Sequence, residues 1–228
     1  MTMYVQTLWR YPVKSMAGER IESAEIGELG VPGDRALVVI DSRDHILTAR
    51  TKPAMLRHHA TLGAGGRVQV DGLDWASDEV AERVRAAAGP TARLVEVPDA
   101  QRFDILPLLV TSDGALTAFG EDSRRLRPNL VIGGVAGLAE REWEGRYLAI
   151  GRAVIGLANL RERCIMTTWD PETGAQDVEV LKRIRREFDG TFALNAWTAR
   201  PGRIARGDAV RLLNSFGAPV PARQGRYA

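Results

Sequence analysis

The sequence predicts a mainly β protein with a few helices, an α+β chain of barrel-like architecture. Most of the chain alternates short apolar and polar runs with turn residues, which is the pattern of half-buried strands. Helical spacing of apolar residues is confined to two or three short stretches. An apolar fraction of 45% and a charged fraction of 26% are typical of a globular protein and exclude collagen-like and disordered chains.

Five strands are predicted in the first hundred residues. The stretches 30–34 and 41–44 between them hold Gly, Pro, Asp and Ser, whose backbone preferences favour turns. The predicted strands cover residues 4–13, 35–40, 46–51, 67–70 and 94–97.

A helix is predicted before the last of these strands. Ser77 is a suitable N-cap, Val80 and Val84 fall on one face, and Gly89 followed by Pro90 ends the helix. The sequence therefore predicts a single amphipathic helix in the first half of the chain.

The second half begins near residue 98 and is also rich in strands. Pro107 is tolerated only near the start of its strand because it cannot donate into the ladder, and Ser112 can cap a short helix. Gly151 and Arg152 form the two-residue turn of a hairpin over 147–157, with Gly at the first position as in a type II′ turn. The other predicted strands cover residues 106–111, 130–132, 192–199 and 209–213.

The longest helical pattern covers residues 178–188. Its proposed buried face consists of Val178, Leu181, Ile184 and Phe188.

The predicted elements divide the chain into an N-terminal β domain over 1–97, a β-barrel domain over 98–213, and a flexible tail over 214–228 that is rich in Gly, Pro and Arg.

Charge and cysteine content exclude several function classes. The formal net charge is +2 and both signs are interspersed, so no nucleic-acid partner is predicted. The N-terminus lacks signal and transit-peptide character, and no window has the roughly 18 apolar residues that span a bilayer. The expected location is therefore cytoplasmic, without a membrane. The single cysteine, Cys164, excludes an internal disulfide, a four-cysteine iron–sulfur cluster and a multi-cysteine zinc site.

Cys164 is the first candidate for chemistry. It follows Arg161 and Arg163 closely, and guanidinium charge favours the thiolate, which attacks substrates and binds soft metals such as molybdenum, copper or iron. Turn residues follow it, so it is predicted to lie at a strand end. The alternative is an inert buried side chain, the commoner role of a lone cysteine.

Three other motifs place polar side chains beside turns. Lys14 and Ser15 combine an ammonium with a hydroxyl, and Arg35 follows a turn, so all three suit a phosphate. Arg127 and Asn129 offer a planar fork and a donor–acceptor pair, which suit the edge of a heterocycle. Each motif taken singly is more often a solvated turn.

Together these motifs are similar to those of a known family. Their order along the chain resembles that of MOSC proteins, named for the molybdenum cofactor sulfurase C-terminal domain, with an N-terminal β partner domain. The similarity extends in particular to the amidoxime-reducing component proteins and their bacterial relatives. It rests on Tyr-Pro-Val-Lys-Ser (11–15), Gly-Asp-Arg (33–35), Arg-Pro-Asn (127–129), Arg-Cys-Ile-Met-Thr-Thr-Trp-Asp-Pro-Glu-Thr-Gly (163–174), Pro-Gly-Arg-Ile (201–204) and Gly-Asp-Ala-Val (207–210).

The resemblance implies a molybdenum cofactor, in which molybdenum is held by a pyranopterin (molybdopterin). It implies that the Cys164 thiolate is the protein ligand of the metal. Asp170 matches an acidic position near the metal loop and is a catalytic candidate, either through hydrogen bonding there or as a turn residue. The implied cofactor-binding residues are Lys14, Ser15 and Arg35 for the phosphate, and Arg127, Asn129 and Arg163 for the rest of the pterin.

The implied activity is the reduction of N-hydroxylated compounds, such as amidoximes, hydroxylamines and N-hydroxylated bases, by oxygen-atom transfer. The electrons would come from an external ferredoxin- or cytochrome-type protein and its reductase. One alternative is a carrier of the cofactor or of sulfur that has no reductase turnover. Another is a metal-free thiol protein with Cys164 as nucleophile and His45, His58 or His59 as base.

Overall fold

A computed structural model describes residues 2–217 of the chain. Within this range it contains sixteen strands and three α-helices, which confirms the predicted mainly β fold class. The helices are α1 (Asp78–Ala88), α2 (Asp113–Phe119) and α3 (Val178–Glu187). The strands are β1 (Met3–Arg10), β2 (Glu19–Ile21), β3 (Ser23–Ile26), β4 (Leu37–Ile40), β5 (Ile46–Leu47), β6 (Ala60–Leu62), β7 (Val68–Val70), β8 (Leu73–Asp74), β9 (Arg93–Glu96), β10 (Leu108–Ser112), β11 (Leu130–Gly133), β12 (Tyr147–Ile150), β13 (Ala153–Glu162), β14 (Thr191–Arg200), β15 (Gly202–Ala205) and β16 (Ala209–Leu213).

Seven strands close into the predicted barrel. Their order is β11, β10, β14, β13, β12, β16 and β1, and β1 closes the ring by pairing with β11 as well as β16. All neighbours in the ring are antiparallel except β10 and β11. The barrel core buries apolar side chains from every one of these strands, including Val5, Ile132, Leu148 and Leu194.

The first half of the chain contributes a second core. Two three-stranded sheets, β5-β4-β9 and β6-β7-β8, pack with α1 around it. The Ser77 hydroxyl caps α1 by accepting from the Val80 N–H at 3.3 Å, and Val80 and Val84 are buried, as the sequence predicts. Ala88 is buried on the same helix. The helix ends at Gly89, which has a φ of 124°.

Strand β1 precedes this second core in the chain but is a strand of the barrel. The two halves therefore share the barrel, because β1 supplies two of its interstrand pairings. The domain boundary at residue 97 stays a prediction. Residues 218–228, most of the predicted tail, lie outside the part of the chain that the structure describes.

Several predicted element bounds are wrong for identifiable reasons. The first strand ends at Arg10 instead of residue 13 because Pro12 has no N–H to donate. The strand expected over 46–51 ends at Leu47, where residues 48–52 turn with two hydrogen bonds to the Thr48 carbonyl. The expected turn at Pro201–Gly202 leads directly into β15, which pairs with β3.

The predicted buried face of α3 is also partly wrong. Val178 is 48% exposed, whereas Val180, Ile184 and Phe188 are buried at a spacing of four residues. Asp177 caps the helix by accepting from the Glu179 N–H, so Val178 is the first helical residue and lies at the solvent end.

The turn at Gly151–Arg152, by contrast, is as predicted. It joins paired Ile150 and Ala153, and of its two residues only Gly151 has a positive φ, 55°.

Candidate functional site

A cavity of about 340 Å³ opens where loops from the two halves meet. Its walls come from the segments that follow β1 and β13, precede β4 and β11, and connect β9 to β10. Seven of the eight residues selected from the sequence line it: Lys14, Ser15, Arg35, Arg127, Asn129, Arg163 and Cys164. The eighth, Asp170, is not among the lining residues.

Lys14 is held at one end of the cavity by an ion pair. Its Nζ lies 2.6 Å from Asp104 Oδ1 and donates to the Arg102 carbonyl at 2.9 Å. Arg50 and Arg161 also contact Asp104 Oδ2, at 2.9 and 3.2 Å. Burial opposes ionisation of Asp104, but the surrounding cations outweigh it and lower the pKa of this carboxyl to about 2. Burial lowers the pKa of Lys14, and Asp104 opposes that shift.

Arg35 is positioned by side chains from both halves. Its Nη1 donates to the fully buried Asp34 carboxylate and, at 3.1 Å, to Asn129 Oδ1. Asn129 Oδ1 also accepts from the Leu109 N–H, and its Nδ2 donates to the Trp9 carbonyl at 3.3 Å. The Asn129 amide therefore bonds to protein atoms through both ends, and its role in the structure is to position Arg35.

Tyr11 lies under two of the cavity guanidinium groups. The Cζ atoms of Arg127 and Arg35 are 4.2 and 4.7 Å from the centroid of its ring, within cation–π range. The Tyr11 hydroxyl donates to the Pro128 carbonyl, and burial raises the pKa of Tyr11 to about 12. Tyr11 therefore packs against both guanidinium groups while its hydroxyl stays protonated and bonded to the protein. It adds no negative charge that would compete with an anionic ligand.

Three of the lining residues adopt left-handed backbone conformations that non-glycine residues rarely use. The φ angles are 69° at Ser15, 49° at Arg35 and 59° at Arg127. Such conformations cost about 1–3 kcal/mol each and concentrate at functional sites, where surrounding contacts hold them. Here they point to a cavity built for a ligand.

Cys164 lies at the other end of the cavity, immediately after β13, as predicted. It is half-buried and precedes a 3₁₀ turn over Ile165–Thr168. Its carbonyl accepts from both the N–H and the hydroxyl of Thr167, which fixes the backbone beside the thiol. The neighbouring Arg163 donates from Nη2 to the Leu126 carbonyl at 2.9 Å.

Asp170 acts in the turn that follows this loop. Its Oδ1 accepts from the N–H groups of Glu172 and Thr173, and its Oδ2 accepts from Arg125 Nη2 at 3.0 Å. Hydrogen bonding to Thr173 lowers the pKa of Asp170. Of the two roles that the sequence left open, these contacts favour the structural turn over a catalytic role.

Sequence reasoning missed several residues of the cavity. Arg125 is 8% exposed and donates from Nη1 to the Thr168 carbonyl at 3.0 Å, so it clamps the loop that carries Cys164. The alternating arginines at 161 and 163 carried a usable signal, because alternate residues of a strand share a face. Nothing in the sequence singled out the others. The charged lining residues that were not selected are Arg50, Arg102, Asp104, Arg125, Arg161 and Glu162.

The cavity is strongly cationic and contains donors without partners. Eight lysine or arginine side chains line it against two carboxylates, Asp104 and Glu162. Buried nitrogens of four lining residues have no hydrogen-bond partner: Arg102 Nε, Arg125 Nε, Arg127 Nη2 and Arg163 Nε. Burial lowers the pKa of Arg127 and Arg163 to about 10 each, so both stay protonated at neutral pH. This electrostatic environment favours an anionic ligand.

The histidines do not support a thiol–imidazole pair. His58 Nδ1 lies 2.8 Å from Asp71 Oδ2, and His45 pairs with Asp41. His59 borders a separate cavity of about 310 Å³. None of the three lines the cavity that contains Cys164.

Two structural features are absent from residues 2–217. No helix in this range is long and apolar enough to cross a membrane. No three His, Cys, Asp or Glu side chains in this range are grouped as metal ligands. Among the described residues, Cys164 supplies the one thiol that lines the cavity, and Met166 lines it with a thioether.

The fold and the cavity define a class of protein: a closed β-barrel joined to a smaller β unit, with a cationic cavity between them that holds one thiol. The family comparisons agree with this description. Residues 2–97 match the MOSC N-terminal beta barrel domain, and residues 115–211 match the MOSC domain. The chain belongs to the MOSC domain family.

Curated relatives align over most of their own length. The chain is 27% identical to "Mitochondrial amidoxime reducing component 2" of Bos taurus, over 79% of this chain and 72% of the relative. It is 26% identical to "Mitochondrial amidoxime-reducing component 1" of Homo sapiens, over 92% of this chain and 82% of the relative. Among solved structures, the YUAD protein from Bacillus subtilis aligns with a TM-score of 0.46 and 13% identity, over 93% of this chain and 96% of that one.

Proposed function

We propose that this protein is a molybdenum-cofactor-dependent oxidoreductase that reduces N-hydroxylated compounds such as amidoximes and hydroxylamines. One observation carries the proposal: the single thiol of the chain and the predicted phosphate-binding residues Lys14, Ser15 and Arg35 line the same cavity. Relatives named for amidoxime reduction support the choice of substrate class.

The residues present suit a pyranopterin-bound metal. A thiolate at Cys164 is the kind of ligand that molybdenum prefers. A phosphate requires charged donors, and the Lys14 ammonium and the Arg35 guanidinium, both predicted for that role, supply them. The buried Nε of Arg163 is a further donor without a partner, and a polar pterin ring offers acceptors. These residues would hold the cofactor between the two ends of the cavity.

The protein contributes binding, orientation and charge. When bound, the cofactor supplies the oxygen-atom chemistry: an N-hydroxylated amine takes up two electrons and two protons, its N–O bond breaks, and an amine and water leave. Cys164 would hold the metal, and Arg125 keeps the loop of Cys164 in place through the carbonyls of Thr167 and Thr168. Asp104 holds Lys14 in its charged form toward the cavity.

The electrons have to come from outside the chain. One cysteine is too few for a four-cysteine iron–sulfur cluster, so we propose a ferredoxin- or cytochrome-type donor with its reductase. The cytoplasmic location stays a prediction.

The test is the molybdenum and pterin content of protein made in a host able to synthesise the cofactor, together with turnover of a phenyl amidoxime by chemically reduced protein. We expect about one metal per chain, loss of turnover and metal in Cys164→Ala, and loss of pterin in Lys14→Ala. Lys52→Ala, a lysine outside the cavity, is the matched control. Protein without metal and pterin would refute the proposal, and full occupancy without any turnover would favour the carrier alternative.

A further inference from the structure

Arg102 has no assigned role, yet its environment is unusual for a charged side chain. It is 7% exposed and lines the cavity, and its Nε is buried without a partner. Its guanidinium forms no hydrogen bond or ion pair with any residue of 2–217; its one contact is with the ring of Phe103, 5.0 Å from Cζ. An unpaired buried charge is costly, so a fold that keeps one normally provides it with a counter-ion.

Arg102 belongs to the Lys14 end of the cavity. Its carbonyl accepts from Lys14 Nζ at 2.9 Å, and the charges acting on its guanidinium are those of Asp34, Arg35 and Asp99. Cys164 is not among these charges, although it acts on Arg161 and Arg163. Arg161 also contacts Asp104 at 3.2 Å, so the part of the cavity with the thiol meets the part with Lys14 and Arg102 at Asp104.

The charges at the Lys14 end are only partly balanced. The Lys14 ammonium is paired with Asp104, and the Arg35 guanidinium is paired with Asp34. Arg127 donates from Nη1 to the Met16 carbonyl, and no carboxylate pairs with it or with Arg102 among the described residues. Asp104 is moreover shared by Lys14, Arg50 and Arg161, so this part of the cavity carries an excess of positive charge. Arg102 and Arg127 are its guanidinium groups without a carboxylate contact, and a phosphate monoester, which is doubly negative near neutral pH, would supply the missing negative charge.

The backbone holds Arg102 in place before a ligand binds. A 3₁₀ turn over Ala100–Arg102 begins at Asp99, whose side chain accepts from the Gln101 N–H at 2.9 Å. The Phe103 N–H closes the turn on the Ala100 carbonyl, and Lys14 binds the carbonyl of Arg102 itself. A donor fixed in this way loses little freedom when it binds an anion.

We propose that Arg102 is a phosphate-binding residue of this cavity and that, together with Arg127, it neutralises the terminal phosphate of the bound cofactor. The inference rests on the proposed function for the identity of the ligand. The anion site itself is derived from the unpaired, buried guanidinium groups.

The experiment compares Arg102→Gln with Arg102→Lys. Arg146→Gln is the control, since Arg146 also has a buried, unpartnered Nε but does not line the cavity. Full-length protein made in a host that cannot synthesise the pterin is titrated with inorganic phosphate at fixed ionic strength by calorimetry. Pterin content is measured separately in protein from a cofactor-producing host.

For Arg102→Gln we expect phosphate affinity to fall at least tenfold and retained pterin to fall severalfold, because a charge-assisted hydrogen bond is lost. Arg102→Lys should keep most of the phosphate affinity, and Arg146→Gln should behave as wild type. Equal affinity in Arg102→Gln and wild type would overturn the proposal. Equal losses in the Gln and Lys variants with a lowered melting temperature would also overturn it, because they would show a packing role.

The phosphate titration and the pterin measurement together distinguish a failure of this inference from a failure of the proposed function. If wild-type protein carries no pterin but its phosphate affinity falls in Arg102→Gln, the anion site stands and the cofactor assignment fails. If wild-type protein carries pterin and Arg102→Gln retains it fully, the cofactor assignment stands and Arg102 is not its phosphate ligand.

Discussion

Glu140 provides a test of burial energetics that is independent of any ligand. Its side chain is 1% exposed, and its carboxylate accepts from the Thr111 hydroxyl at 3.2 Å. Burial raises the pKa of Glu140 from 4.5 to about 7, although hydrogen bonds from Ser112 and Thr111 oppose the shift. Folded protein therefore keeps a proton on Glu140 at pH values where the unfolded chain has lost it.

The sign and size of the pH effect follow from linkage. Below pH 4.5 Glu140 is protonated in both states, and between pH 4.5 and about 7 it ionises only in the unfolded chain. The free energy of unfolding therefore falls as pH rises through this window, by about 1.4 kcal/mol per pH unit and about 3 kcal/mol in all. Glu140→Gln keeps the shape and the hydrogen-bonding capacity of the side chain but removes the titration.

The assay is urea denaturation of wild type and Glu140→Gln at pH 5 and pH 8. Relative to wild type, the variant is expected to gain about 3 kcal/mol between these two pH values. Glu142→Gln removes a carboxylate at an exposed position of the same 3₁₀ turn and is the control for the substitution itself. A flat difference for Glu140→Gln would show that burial does not raise this pKa and would refute the reasoning.

Two further substitutions test the contacts around the cavity and in the barrel. Asp104→Asn removes the carboxylate whose pKa is lowered to about 2, so it should lower the free energy of unfolding by about 2 kcal/mol at pH 7. This loss should shrink as pH falls toward 2, and urea denaturation across that range measures it. An unchanged stability would contradict the ion-pair account. Gly156→Ala would place a Cβ 2.2 Å from a ring atom of Trp197 and should lower the melting temperature clearly. Gly27→Ala is the control, because its Cβ would have no atom within 4 Å, and its melting temperature should stay close to that of wild type. Equal melting temperatures of the two variants would argue against the packing of Trp197 on Gly156.

Much of the fold was predictable because its signals are local. The cap at Ser77 and the type II′ turn at Gly151 each depend on a few neighbouring residues. The errors lie where a distant partner decides. Strand β15 follows a turn sequence and exists because β3, far away in the chain, pairs with it. Val178 is the exception, because its exposure follows from the cap at the neighbouring Asp177, which sets where α3 begins.

The candidate site likewise contains residues that a local motif marks and residues that no motif marks. Lys14, Arg35 and Cys164 stood out because each lies in a recognisable local motif. Arg102 and Asp104 lie in the connection between β9 and β10, where no motif marks them. Their importance depends on burial and on charges brought from other parts of the chain.

The sequence by itself determined which groups are available: one thiol, few lysines, many arginines, and the turns that place them at strand ends. Only the tertiary structure decided which of these groups meet and which lose their solvent. Closure of the barrel by β1 brings Lys14 beside Asp104, and it leaves Arg102 and Arg127 buried without a carboxylate. The physical reason is that pairing and desolvation depend on distances in space, whereas a sequence motif records only distances along the chain.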